Sequence, residues 1–192
     1  MVQPLTPDPS IVWSDDFDDG DMEGWEHLLG EPYVHEVAVY FGDSGGGILY
    51  PNTVKTGTWN FDVFICEESR RTPEIWFILA ELGPDQYANF TINITQQPIT
   101  LLEITRLDGN EETLIDKVTV REPEKLTGWH HVDITRDDSD NVNIYVDSAL
   151  ISKFNEEFPY DSSVFFYYVI CDGPALDNMI VRNQVIDIQP VE

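Results

Sequence analysis

Seven carboxylates and two tryptophans fall within residues 13–30, WSDDFDDGDMEGWEHLLG. Asp15, Asp16, Asp18, Asp19, Asp21 and Glu23 form a dense set of hard oxygen donors, and Gly20 lets the chain turn its carbonyl oxygens toward them. Calcium accepts roughly six to eight such ligands in irregular geometry, whereas magnesium demands a tighter octahedron, so calcium is the ion this composition suits. The spacing of an EF-hand loop is absent. The competing reading is a strand in which Trp13 and Phe17 turn inward and the aspartates between them face solvent. A second acidic run, RDDSDN at 136–141, has the residue types that polar turns select.

Carboxylates also serve glycosidases, which need two of them facing one another across an aromatic cleft. Jelly-roll glucanases carry theirs as Glu-x-Asp-x-x-Glu on one strand. That pattern is missing here: Glu74 and Glu81 alternate to opposite faces, and Glu67 and Glu68 are adjacent. GDSGG at 42–46 matches the nucleophile sequence of chymotrypsin-like proteases, but nothing else of that pattern is present and the glycines read as a turn. His130 and His131 are neighbours on a strand and point to opposite sides, so they do not chelate one ion together. The expectation is a chain that is not an enzyme.

Aromatic residues give the other candidate site. Protein–carbohydrate recognition stacks sugar rings on aromatic faces while Asp and Asn hold the hydroxyls. In FFYYV, 165–169, Phe165, Tyr167 and Val169 point one way and Phe166 and Tyr168 the other. One set is expected to fill the core, and the other either packs under a loop, the favoured reading, or serves as a platform for a sugar. Phe165, Tyr167, Tyr168 and Trp76 are the candidate ligand-binding residues.

The elements that must position these groups are short strands. YVHEVAVYF alternates over 33–41, TWNFDVFIC puts Trp59, Phe61, Val63 and Ile65 on one face, and EIWFILAEL reads as a strand covered on both sides. Asp108-Gly109-Asn110 marks a hairpin. Only residues 21–29 suggest a short helical turn. About a dozen strands with turn signals every 8–12 residues predict an all-β, two-sheet antiparallel sandwich. Residues 1–10 read as a proline-rich extended arm and 11–192 as one domain, a size with 42% hydrophobic residues that supports a substantial core.

Against 36 acidic residues there are 10 basic ones, a formal charge of −26. That excludes nucleic acid and anionic membrane surfaces as expected partners, because both are held by basic residues. Cys66 and Cys171 each end an apolar strand-like run. They are too few for a structural zinc site and are either a disulfide joining distant strands, the favoured reading, or two buried thiols. The sequons at Asn89 and Asn93 agree with an extracellular or cell-surface location. MVQPLTPDPS has neither the basic start nor the apolar stretch of a signal peptide, so export implies a signal that has been removed.

The stretch LTGWHHVDITRDDSDNVNIYVDSALIS, 126–152, resembles the Gly-Trp-His-His-Val…Thr-Arg-Asp…Tyr-Val-Asp-Gly block of laminin-G-like, concanavalin A-like jelly rolls. WSDDFDDGDMEGW resembles the first strand and loop of such modules, and ALDNMIV resembles their last strand. The resemblance implies a jelly roll whose first and last strands are neighbours. It implies Val142, Ile144 and Val146 facing the core, a turn at Asp137–Asn141, and a second turn in which Ser148 replaces the usual glycine. It also implies a structural calcium held by Asp16, Asp18 or Asp19 from one end of the chain and Asp177 from the other. The function it implies is a non-catalytic lectin-like or adhesion module for a glycan or extracellular protein ligand. Two alternatives stay open: a self-assembling structural subunit of an extracellular assembly, and an atypical glycoside hydrolase.

Overall fold

A computed structural model describes residues 8–41, 46–65, 74–83, 86–95, 100–108, 111–120, 128–155, 163–169 and 173–188. Among the described residues fifteen strands follow one another: β1 (Ile11–Asp15), β2 (Glu26–Leu29), β3 (Tyr33–His35), β4 (Ala38–Phe41), β5 (Gly46–Asn52), β6 (Gly57–Ile65), β7 (Glu74–Gly83), β8 (Gln86–Thr95), β9 (Thr100–Asp108), β10 (Glu111–Val120), β11 (Gly128–Arg136), β12 (Asn141–Val146), β13 (Ala149–Asn155), β14 (Ser163–Val169) and β15 (Gly173–Arg182). The described residues contain no helix. Cys66 and Cys171 lie outside them.

Two antiparallel sheets form the sandwich. The eight-stranded sheet runs β13-β12-β11-β6-β15-β4-β3, with β1 added on β15, and the seven-stranded sheet runs β10-β9-β8-β7-β14-β5-β2. Between them lies a core in which Phe17, Val39, Phe41, Ile48, Trp59, Phe61, Leu176, Met179 and Val181 are fully buried. Burying each large side chain stabilises the fold by roughly 1.5–3 kcal/mol. The alternation read from the sequence holds in β6, where Trp59, Phe61 and Val63 share the core face. It also holds in β12, where Val142 and Ile144 are buried and Val146 packs against the core.

The first and last strands pair as expected, Trp13 opposite Val181 and Asp15 opposite Met179. Trp13 stacks on Tyr50 of β5 with ring centroids 3.6 Å apart, and Trp25 meets Trp13 edge-on at 5.4 Å. These rings tie the two sheets together beside the acidic loop.

Two local expectations are corrected. Residues 33–41 are a hairpin, β3 and β4, and not one strand. Glu36 takes a left-handed φ of 58° at the corner, and His35 then pairs with Ala38. Residues 21–29 are not helical. A turn closed by the Trp25 amide on the Met22 carbonyl, with Gly24 at φ 91°, leads into strand β2.

The β12–β13 turn shows what replaces the glycine. Asp147 and Ser148 have φ of 50° and 64° between the paired residues Val146 and Ala149. Two consecutive positive φ values define a type I′ hairpin, whose twist matches that of the strands. Asp147 repays its conformation by accepting the His131 amide at 3.0 Å and lying 2.7 Å from the His130 ring. Among the described residues, Ser148 makes no such bond. Ser148→Gly is expected to raise stability by about 0.5–1 kcal/mol by removing the left-handed penalty. An unchanged or lowered urea midpoint would contradict this.

Candidate functional site

The acidic loop is a chain of Asx turns. Asp15 Oδ1 accepts the Phe17 amide at 2.9 Å, Asp16 Oδ1 that of Asp18 at 3.2 Å, Asp19 Oδ1 that of Asp21 at 3.2 Å, and Asp21 Oδ1 that of Glu23 at 2.8 Å. Asp15 Oδ2 also accepts the Trp25 indole N–H at 2.7 Å, which commits this side chain to structure. Burial raises the Asp15 carboxyl above its ordinary range, the Phe17 and Trp25 donors act against the rise, and Asp19 and Asp16 add to it.

Asp177 comes to this loop from the opposite end of the chain. Its carboxyl is pushed up to about 6, first by burial and then by the charges of Asp62, Asp18 and Asp16. Asp16 and Asp18 therefore share a field with Asp177, whereas Asp19 acts on Asp15. Asp62, which the sequence did not single out as a site residue, completes the group because β6 and β15 pair Asp62 with Asp177. The donor chemistry fits calcium. Among the described residues, however, no three His, Cys, Asp or Glu side chains are gathered closely enough to hold a metal ion.

From Asp177 a hydrogen-bonded network crosses the outer face of the eight-stranded sheet. A bulge in β15 puts Asn178 at φ 50°, and its amide side chain donates to Asp62 Oδ2 at 2.8 Å. Asp62 Oδ1 lies 2.5 Å from His131 Nδ1, and His131 Nε2 lies 3.2 Å from Asp133 Oδ1. Asn60 donates to the same Asp133 oxygen, and Arg182 donates to Asn60 Oδ1. Hydrogen bonds to Asp133 and Asp62 hold the His131 ring up at about 10, against its partial burial. Burial alone would raise Asp62, but the bonds from His131 and Asn178 outweigh it and the carboxyl is lowered. Alternation in β6 already separates Asn60 and Asp62 from the core-facing residues; that β11 and β15 flank them is a fact of pairing alone.

The aromatic candidates lie in the seven-stranded sheet, where the backbone register divides them. Tyr167 pairs with Ile48 and Phe165 with Tyr50, so both share the sheet face of the fully buried Ile48. Phe166 pairs with Leu49 on one side and Trp76 on the other. Trp76, Phe166 and Tyr168 therefore share the outer face. The same register continues to Thr91 and Thr105 opposite Trp76, and to Asn93 and Glu103 opposite Glu74. Trp76 and Tyr168 are brought to one face, and Phe165 and Tyr167 to the other.

No protein-family model and no curated protein matches this chain. Solved structures do match it. A GlcNAcα1-4Gal releasing endo-β-galactosidase from Clostridium perfringens superposes with a TM-score of 0.67 at 11% identity, over 93% of this chain and 64% of that one. This chain therefore spans just under two thirds of that protein's length. The Emp47p carbohydrate recognition domain gives 0.62 at 12% identity, over 94% of this chain and 100% of that one. The carbohydrate binding module CBM66 from Bacillus subtilis gives 0.51 at 13% identity, over 86% and 96%. At such identities the likeness is one of fold: an antiparallel jelly-roll sandwich, consistent with a concanavalin A-like architecture.

Proposed function

We propose that this chain is a non-catalytic carbohydrate-binding or adhesion module acting outside the cell, with its glycan on the outer face of the seven-stranded sheet. The observation that carries the reading is the register that aligns Trp76, Phe166 and Tyr168 on that face beside Thr91, Asn93 and Thr105. Aromatic faces stack the C–H surface of a sugar ring, and side-chain amides and hydroxyls match its hydroxyls. The names of the structural neighbours, a carbohydrate binding module and a carbohydrate recognition domain, support the same use of the fold. On a glycan array, wild-type protein is expected to bind at least one neutral glycan, and Trp76→Ala to bind it about tenfold more weakly or not at all. Absence of binding at every calcium concentration would overturn the reading.

Asp16, Asp18 and Asp177 are the residues we propose to hold a structural calcium ion, which must draw their carboxyls closer together than they stand here. The support is that Asp177, raised first by burial and then by the charges of Asp62, Asp18 and Asp16, lies in the field of the acidic loop, where a divalent cation would stabilise the ionised carboxyls. Calcium is expected to raise the thermal midpoint by about 3 °C for each kcal/mol of binding, and EDTA or Asp177→Asn to remove the rise. A midpoint indifferent to calcium and EDTA would remove the ion from the account.

One observation favours a second reading. Glu74 and Glu103 take the same register position two strands apart, roughly 9–10 Å between their backbones, and two carboxylates on one sheet face are what a glycosidase requires. Release of reducing sugar from a polysaccharide, abolished by Glu103→Gln, would turn the module into a hydrolase.

A further inference from the structure

On the opposite side of the sandwich, residues 183–188 leave β15 and lie along the outer face of the eight-stranded sheet. The Ile186 amide donates to Thr58 Oγ1 at 3.0 Å, and that hydroxyl donates to the Gln184 carbonyl at 3.1 Å. This segment explains why polar side chains of an outer face are buried: Thr58 is fully covered, Asn60 is 4% exposed and Asp133 is 3% exposed. Beside it opens a groove of about 400 Å³ whose lining includes the polar Asn60, Asp133, Arg182, Ser148 and Asp187 and the apolar Ile180 and Ile186. The volume falls within the roughly 300–1,000 Å³ of small-molecule sites.

The polar part of this lining is a built surface. Among the described residues, the hydrogen bonds to Asp133, from Asn60 and His131, all fall on Oδ1. A carboxylate can accept about four, and a buried one is normally well supplied with donors. Oδ2 is the acceptor still to be matched in the groove. Arg182 has more N–H donors than its bond to Asn60 and its ion pair with Asp8 at 3.7 Å require, and Ser148 adds a hydroxyl that both donates and accepts. Both donors and acceptors line the groove, with Asp187 and Asp133 as carboxylates and Arg182, Asn60 and His131 as nitrogen-bearing side chains. An uncharged ring carrying adjacent hydroxyls, with a C–H face for the isoleucines, fits both the hydrogen-bonding pattern and the apolar lining.

We infer that this groove is a sugar subsite separate from the aromatic face, taking one neutral, hydroxyl-rich ring of monosaccharide size between Asp133, Arg182 and Ser148. Two sites on opposite sheets would let one module bridge two glycan chains, with the gain in avidity that bivalency gives.

The test is an amide-shift titration of the whole chain by NMR, with glucose, galactose, mannose and N-acetylglucosamine added separately at millimolar concentration. Four proteins are compared: wild type, Asp133→Asn, Ile186→Trp and Trp76→Ala. At least one sugar is expected to shift amides 131–133, 148 and 180–186 saturably. Asp133→Asn should weaken that response about tenfold. Ile186→Trp, which fills the groove and leaves the polar network intact, should abolish it, while Trp76→Ala should leave it unchanged. Shifts confined to residues 74–78 and 164–168 would overturn the groove and leave the aromatic face standing. Groove shifts that survive Ile186→Trp would overturn the groove as well. Loss of the groove response together with glycan binding in Trp76→Ala would show one site rather than two. No shift with any sugar, alongside a positive glycan array, would overturn the subsite alone.

Discussion

Phe17→Ala is expected to destabilise this protein by about 3–5 kcal/mol, the largest effect of any single change in the acidic loop. Phe17 is fully buried, 5.9 Å from Trp25 between ring centroids, in a loop otherwise made of carboxylates. It holds this position with a φ of 53°, a left-handed conformation that costs a bulky residue about 1–2 kcal/mol. The burial of the ring outweighs that strain. Truncation to alanine keeps the strain and discards the burial, so nothing in the variant compensates. The loop depends on this anchor: the Asp15 turn bonds the Phe17 amide, and the Gly20 amide donates to the Phe17 carbonyl at 3.1 Å. Releasing it should therefore also separate Asp16 and Asp18 from Asp177 and weaken any calcium response. Urea unfolding measures the first effect and a calcium melt the second. A loss below about 1 kcal/mol would show that the ring is not an anchor.

Stability in calcium-free buffer is expected to fall with rising pH in two separate windows. The His131 ring has a folded value of about 10 against an ordinary 6.5. A group that holds its proton more tightly when folded contributes fully below its unfolded value and loses that contribution as pH climbs to the folded one. The upper window is therefore about pH 6.5–10. The ring is 45% exposed, so solvent screening reduces the nominal effect to about 1–2 kcal/mol. Asp177, raised from 3.8 to about 6, prefers its neutral form in the fold. Ionising it costs stability as pH rises from about 4 to 6, the lower window. Urea midpoints measured across pH check both. His131→Gln should flatten the upper slope and leave the lower one, and Asp177→Asn should do the reverse. A wild-type midpoint that holds steady from pH 7 to 9 would refute the His131 assignment.

The expectations that held are those carried by a short period. Alternation in β6 and β12 separates core from surface residues, and Asp108 with Glu111 closes the hairpin that Asp-Gly-Asn announces. The two expectations that failed, at 21–29 and 33–41, fell where one left-handed residue redirects the chain. Gly24 and Glu36 change direction through φ, and nothing in the surrounding hydrophobic pattern records it.

The candidate sites divide the same way. The acidic loop is visible as a run of residue types, and so are the aromatic strands. Asp62, His131 and Asp133 are not, because each sits alone in an ordinary strand and acquires partners only by pairing.

By itself, then, the chain determines an all-β sandwich: its polar and apolar residues alternate with a period of two, and turn residues interrupt that alternation at strand-length intervals. It also determines a strongly acidic composition, with 36 acidic residues against 10 basic ones. Only the tertiary structure decides which carboxylates meet. Asp177 reaches Asp16 and Asp18 because β15 lies between β1 and β6, and Asp133 is buried because residues 183–188 return across its sheet. Those neighbours are up to 161 positions apart in the chain, counted from Asp16 to Asp177. Strand order, a property of the whole folded chain, is what brings them together.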